Sequence, residues 1–458
     1  MIGLREAAVA IGATVRGMDA VLSGVSTDTR TIGTGELFVA VRGEHYDGHE
    51  FLKVAKDRGA AAAMVDARYA GEAPLPLLVV DDTRRGLGRL GRHWRGRFRA
   101  TVSAVAGSNG NTTTKEMLAA ILRAHAGEAG AHATRGNLNT DIGVPMTLLG
   151  LREAHRYCAV ELGMNHPGEI AELAAIAQPD IAVVTNAQRE HMEFMRTVEA
   201  TAEENAEAFR ALSPQGVAVV NADDLCRALF LAAAGARRVV EFGLARRADV
   251  SGSYTLRHLD SEIVVRTPDG EAGATLAIPG LHNVRNALAA AACAWAAGIP
   301  PAAIGAGLSA FRPYTGRLQV KAGPGGATLI DDSYNANPDS VRAAIDVLAA
   351  SKGSTVLVLG DMGEVGAQGP AFHAEVGAYA KERGVGALYA IGDATPDAVS
   401  AFGEGARHFD AVDPLAAAAR EAALAGATLL VKGSRFMRME RVVAALVDAP
   451  AARAGGAH

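Results

Sequence analysis

The chain has 458 residues, more than one hydrophobic core supports, so two to three domains are expected. Its composition, 49% hydrophobic and 21% charged, is that of a soluble globular protein, and the net charge of −5 argues against binding nucleic acid through bulk charge. The three cysteines lie far apart in sequence, which argues against a disulfide framework or a zinc site and favours reduced thiols in a cytosolic protein.

The sequence has no feature of export or membrane insertion. The N-terminus carries Arg5 and Glu6 and lacks the sustained apolar core of a signal peptide. The longest apolar stretch, residues 287–299, is far shorter than the roughly 20 residues of a membrane helix. We therefore expect a cytoplasmic protein with no membrane partner.

Residues 1–82 form the first predicted unit, a small α/β domain. Short apolar strands at 37–41 and 76–80 alternate with turns rich in Gly and Asp. A strongly basic helix follows between residues 84 and 99. We interpret it as a solvated, linker-like helix, with a role in steering phosphates as the alternative.

Residues 83–312 form the second predicted unit, a parallel sheet covered on both faces. Apolar strands are predicted at 102–106, 157–162, 181–185 and 217–221, with Ala-rich helices between them. Residues 250–279 differ, because their alternation and a Pro-Asp-Gly turn predict a small antiparallel patch.

A glycine turn joins the first of these strands to its helix. It contains Gly107, Ser108, Asn109, Gly110, Asn111, Thr112 and Thr113. Such a turn directs backbone N–H groups at phosphate oxygens, and Thr112 is placed to give its hydroxyl to Mg²⁺. The position before Thr112, where phosphate-binding loops carry a lysine, is Asn111. The turn predicts a nucleotide site, with a plain strand–helix turn as the alternative.

Polar residues follow the neighbouring strands of the same sheet. Glu161 ends the strand after the glycine turn, and His191 lies shortly after the next one. Because the carboxyl ends of parallel strands meet at one edge, a carboxylate, a hydroxyl and an imidazole would surround the phosphates and suit Mg²⁺. The alternatives are a helix-start carboxylate for Glu161 and a loop histidine without a task for His191.

Residues 313–458 form the third predicted unit, a doubly wound Rossmann-like domain with functional groups at its strand ends. Residues 331–340 are the densest polar cluster. Helix capping explains part of this cluster, and its acidic and amide side chains suit ribose hydroxyls and a base edge. Arg317 could hold a phosphate, with a plain surface arginine as the alternative. Residues 432–435 suit capture of a carboxylate, with a positively charged loop at a helix start as the alternative. The tail, 449–458, is expected to be disordered.

Together these motifs resemble the Mur ligase superfamily of ATP-dependent peptide ligases over nearly the whole chain. The glycine turn marks the wide superfamily, and residues 331–340 are specific to the branch that uses D-alanyl-D-alanine. The resemblance implies three domains: a small N-terminal α/β domain, a central parallel-sheet ATPase domain and a C-terminal Rossmann-like domain. It also implies ATP and Mg²⁺, the substrates UDP-N-acetylmuramoyl-tripeptide and D-alanyl-D-alanine, and a monomer in the cytoplasm.

The resemblance also implies a set of site residues. The predicted substrate contacts are Asp28, Thr29, Arg30, Gly43, Asn137, Asn139, Lys432, Ser434 and Arg435. The predicted metal ligands are Thr112, Glu161 and His191. The predicted nucleotide contacts beyond the glycine turn are Asn283, Asn286, Arg317, Asp331, Tyr334, Asn335 and Asn337. The predicted catalytic residues are Asn111, Thr112, Glu161, His191 and Arg317.

Two positions depart from the family pattern. Asn111 replaces the loop lysine, and Lys115, one helical turn further on, is expected to point away from the phosphates. Many members also carry a carbamylated lysine near Asn205, yet no lysine occurs between Lys115 and Lys321. A neighbouring carboxylate at 203, 204 or 207 could compensate.

We therefore predict a ligase whose ATP-dependent step is impaired. The alternatives are a ligase of the same architecture for another substrate, and a non-catalytic protein that binds the nucleotide or the muramoyl peptide.

Overall fold

The structure, a computed structural model, describes residues 1–43 and 45–447. The tail at 449–458, predicted to be disordered, lies outside the described residues, as does the end of the third predicted domain. Within the described part of the chain, no helix has the length and apolar character needed to cross a membrane.

The first unit contains a mixed sheet and a small antiparallel pair. Its helices are α1 (Leu4–Ile11), α2 (Leu52–Asp57) and α3 (Thr83–Arg95). Its strands are β1 (Ile2–Gly3), β2 (Thr14–Arg16), β3 (Val21–Leu22), β4 (Val25–Ser26), β5 (Leu37–Val39), β6 (Ala62–Asp66) and β7 (Leu77–Val80). The strand order of the mixed sheet is β2-β7-β6-β5-β4, with β2 antiparallel at one edge.

The basic helix α3 is not a solvated linker, so that interpretation of the sequence was wrong. One face of the helix buries Leu87, Leu90 and Trp94, and the Trp94 indole donates to the Leu151 carbonyl oxygen at 3.1 Å. Arg84, Arg85, Arg89 and Arg92 keep at least part of their side chains exposed, whereas Arg95 is buried and binds Asp180 at 2.9 Å. Helix α3 thereby fixes the first unit against the middle unit.

The middle unit is a parallel sheet with helices on both faces, as predicted. Its strands are β8 (Thr101–Ala106), β9 (Ala131–Ala133), β10 (Tyr157–Glu161), β11 (Ile181–Val184), β12 (Val217–Asn221) and β13 (Arg238–Phe242), in the order β13-β12-β11-β8-β10-β9. Its helices are α4 (Asn111–Ala126), α5 (Gly143–Leu149), α6 (Glu169–Ala177), α7 (Met192–Met195), α8 (Val198–Arg210) and α9 (Arg227–Ala234). Because β10 and β11 flank β8, the residues that follow these three strands meet at one edge.

The predicted antiparallel patch is present after β13. It consists of β14 (Ser251–Leu256), β15 (Ser261–Thr267) and β16 (Gly270–Leu276), paired in register as a meander. Two apolar helices then pack against α4: α10 (Leu281–Ala296) and α11 (Pro301–Ala310).

The third unit has the predicted doubly wound topology. Its strands are β17 (Gln319–Ala322), β18 (Thr328–Asp332), β19 (Thr355–Gly360), β20 (Ala387–Ile391), β21 (Ala406–Phe409) and β22 (Thr428–Lys432). Their order is β17-β18-β22-β19-β20-β21, parallel except for β17. Its helices are α12 (Pro338–Ala349), α13 (Gly369–Glu382), α14 (Pro396–Phe402), α15 (Val412–Leu424) and α16 (Glu440–Leu446).

Buried apolar contacts join the three units. One cluster contains Leu288 of the middle unit and Ile345 of the third, and another contains Leu87 and Val160. Burial of apolar surface across these contacts holds the carboxyl ends of the middle and third sheets close together. The predicted boundaries at 82 and 312 stay predictions.

Candidate active site

The glycine turn leads from β8 into α4 and needs glycine at two places. Gly107 has φ +122°, and a Cβ there would lie 2.1 Å from the Thr185 hydroxyl oxygen. Gly110 has φ +81°, and a Cβ there would lie 2.2 Å from the Asn286 carboxamide oxygen. Only glycine combines this backbone conformation with such close approach. The turn is therefore held open at the N-terminus of a 16-residue helix, where anions bind favourably.

The Asn109 peptide is fixed by the end of β11. Its carbonyl oxygen accepts from the Thr185 hydroxyl and the Asn186 amide, both at 2.8 Å, and its N–H donates to the Asn186 carboxamide oxygen at 3.0 Å. The Asn109 side chain reaches the third unit and accepts from the Asn337 amide at 2.9 Å. This contact ties the glycine turn directly to the start of α12.

Asn111 folds back on its own helix. Its carboxamide oxygen accepts from the Thr112 N–H at 2.8 Å. In this position the side chain takes up one of the N-terminal donors of α4 that would otherwise be free for a phosphate oxygen. It brings no positive charge to the turn.

Glu161 is the buried centre of the site. Its Oε1 accepts from the Thr112 hydroxyl at 2.8 Å and from the Asn139 amide at 3.0 Å. Its Oε2 is buried without a hydrogen-bond partner, and burial raises the pKa of this carboxyl group above its usual range. The nearest cation to Oε2 is the Lys115 ammonium, whose Nζ lies 3.8 Å away, so a further cation could reach Glu161 only on the Oε1 side, beside Thr112.

Lys115 lies behind Glu161 and lines neither of the cavities described below. Its Nζ lies 3.8 Å from Glu161 Oε2 and donates to the Thr134 carbonyl oxygen at 2.9 Å and to Glu116 at 2.5 Å. The side chain is fully buried. Lys115 thus faces away from the glycine turn, as expected. Its positive charge lies beside the negative charge of Glu161, a contact that was not predicted from the sequence.

His191 lies between two carboxylates. Its Nδ1 contacts the Glu364 carboxylate of the third unit, and its Nε2 lies 3.5 Å from Glu190 Oε1. Burial lowers the pKa of His191, but the bond to Glu364 and the charge of Glu190 outweigh it, so the net shift is upward. Burial also raises the pKa of Glu190 to about 7. As a metal ligand, His191 would bind through Nε2 in its neutral form while Nδ1–H stays on Glu364, and the upward pKa shift disfavours that neutral form.

Two cavities meet at the glycine turn. The first has a volume of about 780 Å³ and the second about 590 Å³. Both are lined by the turn, by Arg317 and by Ser340. The first is also lined by residues predicted as substrate, metal, nucleotide or catalytic residues, namely Asn137, Asn139, Glu161, His191, Tyr334, Asn335, Asn337, Ser434 and Arg435. The second contains Asn283, Asn286 and Lys432.

Arg317 projects between the two cavities. Its Nη2 lies 3.5 Å from the Thr112 hydroxyl, and its guanidinium stacks 4.2 Å from the centre of the Tyr334 ring. The Nε of Arg317 is buried without a partner. A cation held by stacking with an unused donor is suited to a phosphate oxygen.

The adjacent carboxylates Asp331 and Asp332 point in opposite directions, because they alternate along β18. Asp331 pairs with Lys321 at 2.6 Å and with the Ser333 hydroxyl, and it lines neither cavity. Asp332 lines the second cavity. Asp332 therefore takes the place of the predicted Asp331 at the cavity. Side chains alternate between the two faces of a strand, but the sequence does not reveal which face of β18 is turned toward the site.

The loop after β22 is partly occupied by internal contacts. Lys432 Nζ donates to Asp332 at 2.6 Å and to the Asn335 carbonyl oxygen at 2.8 Å, and burial lowers the pKa of its ammonium group. Ser434 bonds to the Ala336 carbonyl oxygen and the Gly363 N–H. Arg435 stays largely exposed at the rim of the first cavity, 5.7 Å from the Tyr334 ring centre. Arg435 Nη1 lies 3.2 Å from the Glu440 carboxylate, but most of the side chain is exposed, so its charge is more available to a ligand than that of the buried Lys432.

The predicted substrate residues of the first unit form a separate group. The Asp28 carboxylate binds the Arg30 guanidinium at 2.7 Å, which lowers the pKa of Asp28 to about 2. The Thr29 carbonyl oxygen accepts from Arg58, and the Gly43 N–H bonds to the Tyr46 carbonyl oxygen. None of Asp28, Thr29, Arg30 and Gly43 lines either cavity.

Asn205 faces the first cavity, but the acidic residues beside it do not. Glu204 accepts from the N–H groups of Gly168 and Ile170, and both Glu203 and Glu207 pair with Arg210. The suggestion that one of them compensates for a carbamylated lysine is therefore wrong for this conformation. The carboxylates that do line the cavity beyond Glu161 are Asp141, Glu169, Glu172, Glu190 and Glu364.

A Mg²⁺ ion fits the residues around Glu161. Glu161 and the Thr112 hydroxyl oxygen line the first cavity and can supply the one or two protein oxygens that Mg²⁺ uses, while the turn amides can hold the phosphate that completes its shell with water. Among the described residues, no group of three or more His, Cys, Asp or Glu side chains is arranged to hold a metal by itself. The site thus suits a cation that arrives with a phosphate.

Three family models match the chain in succession. The Mur ligase family catalytic domain matches residues 21–95, the Mur ligase middle domain matches 105–294, and the Mur ligase glutamate ligase domain matches 316–435. The curated UDP-N-acetylmuramoyl-tripeptide–D-alanyl-D-alanine ligase of Escherichia coli is 40% identical over 95% of this chain and 96% of its own. The ligase of the same name from Haemophilus influenzae is 35% identical over 93% of each chain.

Solved structures agree with these relatives. MurF from Acinetobacter baumannii superposes with a TM-score of 0.89 at 33% identity and covers 96% of this chain and 97% of its own. MurF ligase from Thermotoga maritima, solved in complex with ADP, superposes with a TM-score of 0.81 at 26% identity over 93% and 97% of the two chains. The predicted three-domain α/β architecture is confirmed.

Proposed function

The chain belongs to the Mur ligase family, and from this membership we infer that it is an ATP-dependent ligase that forms a C–N bond in peptidoglycan precursor synthesis. It joins D-alanyl-D-alanine to UDP-N-acetylmuramoyl-tripeptide, the reaction that its relatives are named for. One observation carries this function at the level of the site. The glycine turn, Thr112 and Arg317 lie where two cavities meet.

The second cavity is the proposed nucleotide site. It is lined by amide and acidic side chains that suit a base and a ribose, and it opens onto the turn that would hold the phosphates. The Thermotoga relative with bound ADP supports nucleotide binding by this fold. The predicted contacts Asn283 and Asn286 line this cavity and remain part of the proposal, and Asp332 replaces Asp331 in it. The predicted contacts Tyr334, Asn335 and Asn337 line the first cavity instead.

Glu161 and Thr112 are the proposed ligands for Mg²⁺. When bound there, the ion would neutralise charge on the terminal phosphates during transfer. The charge of Lys115 partly offsets the effect of burial on the pKa of Glu161 and so favours the carboxylate form that a cation would bind.

The first cavity is the proposed site of the acyl substrate's reacting end. Asn137 and Asn139 line it, and Asp28, Thr29, Arg30 and Gly43 of the first unit are proposed to hold the distant UDP end. Arg435 at the rim would pair with the carboxylate of the incoming dipeptide. We also propose that the protein acts as a monomer in the cytoplasm, where ATP is available.

The reaction follows from this arrangement. The tripeptide's terminal carboxylate attacks the γ-phosphorus of ATP, which forms an acyl phosphate and releases ADP. Arg317 and the turn amides stabilise the charge that develops on the transferred group. The dipeptide amine, after losing a proton, attacks the acyl carbon, and the tetrahedral intermediate expels phosphate. Enclosure between the units protects the acyl phosphate from water.

Asn111 is the residue expected to slow the phosphoryl transfer step. It carries no charge and occupies the Thr112 N–H, so both the cation and one amide are missing from the phosphate site. We infer slower phosphoryl transfer rather than a non-catalytic protein, because Arg317, Thr112 and Glu161 are all in place. The named relatives also favour a ligase over a binding protein.

Phosphate release tests the proposed function. We expect steady release only when ATP, UDP-N-acetylmuramoyl-tripeptide and D-alanyl-D-alanine are all present, and a sharp drop when any one is omitted. Replacing D-alanyl-D-alanine with glutamate tests whether the protein is a ligase of the same architecture for another substrate, which phosphate release with glutamate would indicate. ATP binding by calorimetry without phosphate release in the complete mixture would contradict the proposal and favour the non-catalytic alternative.

A further inference from the structure

Arg189 is the most extensively bonded side chain at the junction of the middle and third units. It follows β11 by five residues and reaches across to α12 and α13. Its Nη2 and Nε bind the Asp339 carboxylate at 2.6 and 3.2 Å, and its Nη1 and Nη2 bind Glu375 at 2.6 and 3.0 Å. The Arg189 backbone N–H also donates to Asp339, at 2.9 Å.

The two carboxylates enclose the guanidinium. The Arg189 side chain is 22% exposed, Asp339 is 24% exposed and Glu375 is 32% exposed. The guanidinium also lies 5.2 Å from the centre of the Phe372 ring. The bond from Arg189 lowers the pKa of Glu375, as expected for a carboxylate held by a fixed cation. A planar guanidinium that binds two carboxylates at once fixes orientation as well as distance.

The position of this contact gives it a role. Asp339 lies two residues after Asn337, whose amide holds Asn109 of the glycine turn. Arg189 and Asp339 both line the second cavity. A change that released Asp339 would free the start of α12, which forms one wall of that cavity.

We propose that Arg189 is a positioning residue that fastens the third unit to the middle unit and so closes the second cavity around the nucleotide. This proposal rests on the proposed function only in taking a nucleotide as the ligand. Arg189 acts through Asp339 and Glu375 and touches no reacting atom.

Arg342 provides a matched control. It donates to the same Glu375 carboxylate at 3.1 Å and stacks 3.8 Å from the Tyr379 ring centre. Arg342, Glu375 and Tyr379 all belong to the third unit, so removing the Arg342 charge weakens the surroundings of Glu375 without touching the junction.

The test compares wild type, Arg189→Gln and Arg342→Gln by small-angle X-ray scattering and by calorimetric titration with Mg²⁺ and a non-hydrolysable ATP analogue. We expect Arg189→Gln to have a larger radius of gyration without nucleotide and to bind the analogue roughly tenfold more weakly, because the guanidinium that binds both Asp339 and Glu375 is removed. Arg189→Lys should fall between, since it keeps the charge and loses the fork. Arg342→Gln should match wild type within about twofold.

Scattering and affinity equal to wild type in Arg189→Gln would overturn the proposal, as would an equal change in Arg342→Gln. If Arg189→Gln does not fold, Glu375→Gln replaces it. The radius of gyration and the affinity should then change in the same direction but by less, because Arg189 still binds Asp339. Failure of the proposed function would appear differently: wild type itself would not bind the analogue, while scattering without nucleotide would still report on the junction.

Discussion

Replacing Asn111 with lysine should raise the rate of phosphate release by about 10- to 100-fold. One preorganised donor at a developing charge is typically worth 10²–10³ in rate. We expect a smaller gain than that range because Arg317 already lies 3.5 Å from the Thr112 hydroxyl and continues to supply one cation. The substitution also releases the Thr112 N–H, which Asn111 now occupies at 2.8 Å.

The assay is steady-state phosphate release with all three substrates saturating. Asn111→Met is the control, because methionine also frees the Thr112 N–H but brings no charge. A comparable rise in both variants would assign the gain to the freed amide rather than to the cation. A rise below about threefold in Asn111→Lys would show that the charge is dispensable here and would refute the reasoning.

Three further predictions concern other parts of the molecule. Lys115→Met leaves Glu161 buried without its cation, so the free energy of unfolding in urea should fall by about 3–5 kcal/mol, and a loss below about 1 kcal/mol would contradict the pairing. Arg30→Ala should raise KM for the UDP-linked substrate by about tenfold at unchanged kcat, because its side chain is 84% exposed and an anion can still reach the part of the guanidinium that Asp28 does not bind; an unchanged KM would remove Arg30 from the substrate site. Burial lowers the pKa of His282 to about 4, so the unfolded chain binds more protons between pH 6.5 and 4, and stability falls with falling pH. Between pH 7 and 4, the free energy of unfolding in urea should therefore fall less for His282→Gln than for wild type, by at most about 3 kcal/mol. An equal fall in both proteins would count against a neutral His282.

The fold was largely predictable because its signals are local. Runs of apolar residues separated by Ala-rich helices predict parallel strands, and the central strands were located to within a residue or two. The basic helix α3 was misinterpreted because its arginines dominate its composition. The apolar stripe of Leu87, Leu90 and Trp94 that packs against the middle unit has the helical period and was the better signal.

The site was predictable where function depends on backbone and less so where it depends on side-chain direction. Gly107, Gly110, Thr112 and Glu161 follow from the order of strand, turn and helix. The choice between Asp331 and Asp332 depends on the register of β18, which the sequence does not reveal. The Lys115–Glu161 and Arg189–Asp339 pairs join segments that are 46 or more residues apart, and nothing local in the sequence indicates such partners.

The central claim is that a triphosphate at the glycine turn activates a carboxyl group in the adjoining cavity. The most direct measurement supplies UDP-N-acetylmuramoyl-tripeptide with ¹⁸O in its terminal carboxylate and determines the mass of the phosphate released during ligation. The account predicts one ¹⁸O atom in each phosphate, because a carboxylate oxygen becomes the bridge of the acyl phosphate and leaves with it. Unlabelled phosphate accompanying product formation would contradict the account.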